Sequence, residues 1–128
     1  MNDQFELYYS HTPVSHIYIK WGLKIDENEF RQGMNDLIDL MRENETGKVL
    51  SNNVNMRELS DADQKWSVED WLPRALAVGY STIAIIVSKN LFGKIAVEDV
   101  LSNASEVSPI RIQYFEDEER AKLWLKSL

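Results

Sequence analysis

The chain has 128 residues, the size of one folded domain, which excludes a two-domain enzyme with a cleft between its halves. Its net charge of −7 argues against DNA and anionic membranes as partners. Cysteine is absent, so disulfides, thiolate zinc sites and cysteine nucleophiles are excluded.

The N-terminus and the apolar content predict where the protein works. The first residues lack the basic start and apolar run of a secretory signal. The longest apolar run, Ile83–Val87, is far shorter than the roughly 20 residues that cross a bilayer. We therefore expect a cytoplasmic protein that does not insert into membranes and folds as a single domain over residues 1–128.

The first third of the chain predicts a hairpin followed by a helix. Apolar and polar residues alternate over Phe5–Ser10 and again over Val14–Trp21, a pattern typical of two antiparallel strands. Asp26 and Glu29 have the spacing of a capping box, so a helix of about four turns should begin there and end near Gly47. Its apolar residues at helical spacing are Phe30, Met34, Leu37, Ile38 and Met41.

A short strand, Lys48–Leu50, and a second helix are predicted next. Ser60 or Asp61 is the expected N-cap of this helix, and Gly79 is its expected stop. At helical periodicity the core stripe consists of Val68, Leu72, Ala75 and Leu76.

Trp66 lies on the opposite, charged side of this helix, where an indole needs an explanation. One interpretation is that Trp66 faces a partner or ligand, since exposed tryptophans are enriched at interaction sites. The other is that Pro73 breaks the helix and changes its phase, which would return Trp66 to a packed position. Asp70 and Arg74 are four residues apart and can pair across one turn.

The rest of the chain predicts two further strands and two further helices. Thr82–Ser88 is a continuous apolar run, expected to be the central strand of a parallel sheet, and Pro109–Phe115 is the last strand. We predict a single-domain α/β fold of order ββαβαβα, with a mainly parallel sheet, an antiparallel N-terminal hairpin and four helices. The third helix should carry Val97, Val100, Leu101 and Ala104, and the terminal helix Ala121, Trp124, Leu125 and Leu128.

The residue patterns that indicate catalysis or cofactor binding are missing. There is no glycine-rich phosphate-binding motif, and no nucleophile can be paired with a base. The only histidines, His11 and His16, flank the predicted hairpin turn and are interpreted as ordinary surface residues rather than metal ligands. We predict no catalytic, cofactor-binding or metal-binding residues.

Polar side chains follow the third strand, at the edge of the sheet where open α/β folds bind ligands. They are Ser51, Asn52, Asn53 and Asn55, in the loop that leads to the second helix. One interpretation makes this loop part of a binding site. The alternative is that these side chains only satisfy backbone groups of the loop.

Several segments resemble a known family. They are Ser51-Asn52-Asn53, Leu59-Ser60-x-x-Asp63-Gln64-x-Trp66, Trp71-x-Pro73-Arg74-Ala75 and Gly79. Over nearly the whole chain, from Trp21 through the last strand, the sequence is similar to small bacterial STAS/SEC14-like (SpoIIAA-like) domains. The resemblance implies the fold of anti-sigma-factor antagonists and a protein that is not an enzyme.

In the antagonist branch of the family, a phosphorylatable serine lies in an Asp-Ser-Ser-Gly-like turn. This chain has Ser51 and Ser60 in that region without such a turn, a departure that argues against a kinase-driven switch. A phosphate on Ser60 would nevertheless lie favourably at a helix N-terminus.

These observations lead to two functional hypotheses. The first is a non-catalytic module that binds a protein partner, or a second copy of itself, through the second helix and the preceding loop. The predicted surface comprises Ser51, Asn52, Asn53, Asn55, Ser60, Trp66, Trp71 and Arg74. The second hypothesis, suggested by the SEC14 side of the resemblance, is a carrier of a small apolar ligand in a groove lined by Trp66, Trp71 and Tyr80.

Overall fold

The computed structural model describes residues 5–56, 58–94 and 109–128. The strands are β1 (Phe5–Ser10), β2 (His16–Trp21), β3 (Lys48–Asn52), β4 (Thr82–Ile86) and β5 (Arg111–Phe115). The helices are α1 (Glu27–Asn44), α2 (Asp61–Trp66), a π-helical turn (Ser67–Trp71), α3 (Leu72–Ala77), α4 (residues 89–94, as far as described) and α5 (Glu118–Ser127).

The strands form one sheet in the order β1-β2-β3-β4-β5. β1 pairs antiparallel with β2, and the other three pairings are parallel, with Leu50 of β3 opposite Ala84 of β4. The predicted α/β fold and its N-terminal hairpin are confirmed. The chain order, however, contains one βα unit more than ββαβαβα.

The middle strand is β3, so the prediction that Thr82–Ser88 is central is wrong. Val49 and Leu50 of β3 are both fully buried although they face opposite sides of the sheet. Ala84 of β4 is buried as well. A continuous apolar run therefore indicates that both faces of a strand are covered, but it does not determine the position of that strand in the sheet.

Each face of the sheet has its own core. On one side, β1, β2 and β3 pack against α1 and the segment from α2 to α3. On the other side α5 covers β3, β4 and β5. The central residues of the first core are Ile17, Ile19, Trp21, Phe30 and Met41, and those of the second are Tyr18, Leu50, Ala121 and Leu125.

Helix α1 begins where the sequence predicts. The Asp26 side chain accepts a hydrogen bond from the Glu29 backbone N–H, and the Glu29 side chain accepts one from the Asp26 N–H. The helix ends at Asn44, and Glu45 takes the left-handed conformation that closes it. Gly47 plays a different part from the predicted helix stop. A Cβ at this position would overlap the Gly79 carbonyl oxygen, so two loops meet there.

The second predicted helix is interrupted by the π-helical turn, and the phase change alters which residues are buried. Val68 is 64% exposed and Leu76 is also exposed, so their assignment to the core stripe is wrong. Ala75 of the predicted stripe is buried, and Trp71 is buried beside it. A π-helical turn contains one extra residue, so the side chains after the turn are rotated about the helix axis relative to those before it.

The prediction for His16 is wrong, and the third predicted helix falls outside the described residues. His16 is buried, and its ring Nδ1 lies 2.7 Å from the Val14 carbonyl oxygen, so it is not an ordinary surface residue. The residues predicted for the third helix, namely Val97, Val100, Leu101 and Ala104, lie outside the described part of the chain.

Candidate functional site

The two tryptophans of the predicted surface are directed towards the core. Trp71 is 4% exposed, and its indole N–H donates a hydrogen bond to the Met34 carbonyl oxygen at 2.6 Å. Trp66 is half-buried and meets the ring of Phe30 edge-on, with 6.1 Å between ring centroids. Trp66 is therefore packed, as the second sequence interpretation expects, but the change of phase comes from the π-helical turn Ser67–Trp71 and not from a break at Pro73.

Two arginines cover the outer side of Trp66. The guanidinium carbons of Arg31 and Arg74 lie 5.1 and 5.9 Å from its ring centroid, within the range of cation–π interactions. Arg74 also forms the predicted ion pair with Asp70, at 2.9 Å, and donates a hydrogen bond to the Asn35 side chain. Trp66 and Arg74 thus hold α1 against the segment from α2 to α3.

The polar residues after β3 bond mainly within their own loop. Ser51 is buried, and its hydroxyl lies 2.5 Å from the Asn53 side-chain oxygen. Asn52 accepts a hydrogen bond from the Val54 backbone N–H. Asn55 is exposed. Asn52 satisfies a backbone group of the loop, as the second interpretation has it, whereas buried Ser51 bonds to the side chain of Asn53.

Asn52 also touches the second core. Burial raises the pKa of the Tyr18 phenol, Glu118 adds to the rise, and a hydrogen bond with the Asn52 side chain opposes it. Tyr8 stacks on Tyr18 with 4.8 Å between ring centroids. Asn52 therefore lies on the α5 side of the sheet, away from α2.

An acidic groove lies between the N-terminal ends of α1 and α2, with a volume of about 560 Å³. Ser60 lines it and caps α2 by accepting a hydrogen bond from the Asp63 N–H at 3.1 Å. Ile25 and Phe30 form its apolar floor. The carboxylates that line this groove belong to Asp26, Glu27, Glu58, Asp61 and Asp63.

An apolar groove of about 510 Å³ lies on the other side of the same loop, at the carboxyl ends of β3 and β4. Asn53, Glu58 and Tyr114 supply its polar atoms. Its apolar walls come from Met56, Leu59, Ile85, Val87 and Leu91.

Glu58 and Leu59 line both grooves, so they form a ridge between them. The loop prediction placed a site in this region and included Asn53 and Ser60, which line one groove each. It missed Glu58 and Leu59 themselves. The available sequence signal was a charged residue beside an apolar one in a loop after a buried strand. This signal does not predict the grooves, because they depend on tertiary packing.

A comparison with protein-family models gives a match to the SpoIIAA-like family over residues 16–126, most of the chain. The chain belongs to the SpoIIAA-like family. No curated protein and no solved structure matches it. The family assignment agrees with the five-stranded sheet and confirms the resemblance found in the sequence.

Family membership has a general functional meaning. SpoIIAA-like domains are STAS-type domains, which are generally non-catalytic and often take part in protein–protein interactions. Within the described residues, no three acidic or histidine side chains are grouped so as to hold a metal ion. None of the described helices combines the length and the apolar character of a membrane-spanning segment.

Proposed function

We propose that this SpoIIAA-like domain is a non-catalytic interaction module that binds a protein partner through the ridge of Glu58 and Leu59 and the two grooves beside it. The observation that carries the proposal is the shared wall: one short loop separates two concave surfaces at the edge of the sheet. Loops at the carboxyl edge can change without disturbing the core, which makes this edge suited to recognition.

Trp66, Trp71 and Arg74 have a positioning role in this proposal. They fix the segment from α2 to α3 against α1 through Phe30, Met34 and Asn35 and thereby hold the loop that carries the ridge. The partner would contact the loop and the start of α2, including Asn53, Asn55 and Ser60. The proposed surface therefore lies at the N-terminal end of α2 and does not include Arg74, which belongs to α3.

The test is affinity capture from the cells that make the protein, followed by measurement with the purified partner. Glu58→Lys should abolish recovery of a partner that the wild type retains. Glu69→Lys, an equal charge change at an exposed position of the π-helical turn, should leave recovery unchanged. Equal recovery with both variants would refute the ridge as the surface, and a doubled mass in light scattering would identify a second copy as the partner.

The second candidate is a carrier of a small apolar molecule, and the apolar groove favours it. Its volume lies within the roughly 300–1,000 Å³ typical of ligand sites. The groove is not lined by the residues named from the sequence, because Trp71 and Tyr80 are buried in the first core. Native mass spectrometry distinguishes the candidates, since a carrier retains a small molecule and an interaction module is bare.

A further inference from the structure

The apolar groove has apolar side chains that the described residues do not fully cover. Leu91 of α4 lines it and is 45% exposed. Met56, Leu59 and Ile85 are half-buried along the same walls. An apolar side chain of a partner that entered this groove would remove both its own surface and these walls from water.

Among the described residues that line the apolar groove, the one charged side chain is that of Glu58. No lysine or arginine is among the described residues that line either groove. Glu58 is exposed and forms no ion pair with a described residue.

The acidic groove continues this negative surface beyond the ridge. Arg31 pairs with Glu27 at 2.9 Å and with Asp63 at 3.3 Å, which neutralises the inner carboxylates. Asp61, at the start of α2, has no cationic partner in the described part of the chain. A segment lying across the ridge therefore meets an apolar surface first and uncompensated carboxylates next.

We infer that the partner presents a short segment in which apolar residues lie next to lysine or arginine. The apolar side chains occupy the apolar groove, and the cationic side chains lie over Glu58 and Asp61. Complementary charge fixes the direction in which the segment crosses the ridge and rejects acidic segments. This inference rests on the proposed function, because it specifies the chemistry of the partner at the same ridge.

The test uses three capped tetrapeptides: two leucines followed by two lysines, two glycines followed by two lysines, and two leucines followed by two glutamates. Binding is measured by the chemical-shift changes of backbone amides on titration. We expect the first peptide to bind most tightly and to shift the amides of Asn53, Met56 and Leu59. Stronger binding by the acidic peptide would overturn the inference.

Matched variants separate specific recognition from general attraction to an acidic protein. Glu58→Gln should weaken the leucine–lysine peptide about threefold, the usual size of an exposed ion pair. Glu43→Gln makes the same charge change at an exposed position of α1 and should have no effect. Equal weakening by both variants would show that the attraction is not specific, which would also overturn the inference.

The apolar part is tested in the same way. Leu91→Ala should weaken the leucine–lysine peptide but not the glycine–lysine peptide, while Leu123→Ala, at a 63% exposed position of α5, should change neither. If the leucine–lysine peptide fails to bind but partner recovery depends on Glu58, the segment chemistry is wrong and the proposed function stands. If recovery is also independent of Glu58, both fail.

Discussion

The indole N–H of Trp71 and the carbonyl oxygen of Met34 are joined by a hydrogen bond of 2.6 Å that ties the π-helical turn to the middle of α1. The Trp71 ring also packs edge-on against Tyr80, with 5.3 Å between centroids. One side chain thus connects α1, the π-helical turn and the entry to β4. The position of the candidate site depends on this connection, because the turn follows directly from α2.

Trp71→Phe should lower the free energy of unfolding by about 1–3 kcal/mol, because the ring largely remains while a buried hydrogen bond is lost. Urea denaturation measures the change. Trp124→Phe is the control, since Trp124 packs against the second core and its indole donates no hydrogen bond within the described residues. A larger loss with the control would contradict the role of the Trp71–Met34 bond.

We predict that the π-helical turn sets the orientation of Trp66 relative to Trp71. Deleting Val68, an exposed residue of the turn, should convert the segment into a regular helix and rotate α2 by about 100° relative to α3. Trp66 and Trp71 cannot then both keep their packed positions. We expect a loss of more than about 2 kcal/mol of stability and a red shift of tryptophan fluorescence.

Val68→Ala is the matched control for this deletion, because it shortens an exposed side chain and keeps the extra residue. Its stability should be within about 0.5 kcal/mol of the wild type. A deletion variant with wild-type stability and emission would show that the π-helical turn does not set the orientation of Trp66.

The same turn explains how far the sequence could predict the structure. The capping box at Asp26 and Glu29 and the cap at Ser60 are local signals, and both are confirmed. The phase of the second helix depends on whether the helix is continuous or breaks near Pro73. Periodicity alone does not decide between these two possibilities. The ridge at Glu58 depends on how α1 packs beside α2, and no local sequence pattern predicts that packing.

We predict that a side chain at Gly47 disturbs the close approach of the loops at Gly47 and Gly79. Its carbonyl oxygen accepts hydrogen bonds from the N–H groups of Ser81 and Thr82, and an added Cβ would overlap the carbonyl oxygen of Gly79. Because the obstacle is backbone rather than a flexible side chain, Gly47→Ala should cost about 1–3 kcal/mol of stability. Thermal unfolding measures the effect.

Gly93→Ala is the opposite case. A Cβ at Gly93 meets no described atom within 4 Å, and Gly93 lies in the helical residues 89–94. Alanine should therefore be neutral or stabilise by up to about 1 kcal/mol. A wild-type melting temperature for Gly47→Ala would refute the close approach of the two loops.

Tyr80 gives a prediction about pH. Burial raises the pKa of its phenol above the ordinary value, so the folded protein favours the neutral form. The stability that follows is complete below about pH 10, where the unfolded phenol is also neutral, and is lost as the pH rises further towards the folded pKa. Tyr80→Phe removes the ionisable group, and its stability should therefore fall less steeply above pH 10. One pH unit above the unfolded pKa, the wild type should have lost about 1.4 kcal/mol more stability than Tyr80→Phe.

The measurement is urea denaturation at a series of pH values from neutral to alkaline. Tyr8→Phe is the control, because Tyr8 is 42% exposed and its ionisation should affect folding less. If Tyr80→Phe and the wild type lose stability in parallel above pH 10, the hydroxyl of Tyr80 ionises without cost in the folded state. The contact between Tyr80 and Trp71 would then have to open to water, and the connection from α1 to β4 would be looser than the packing indicates.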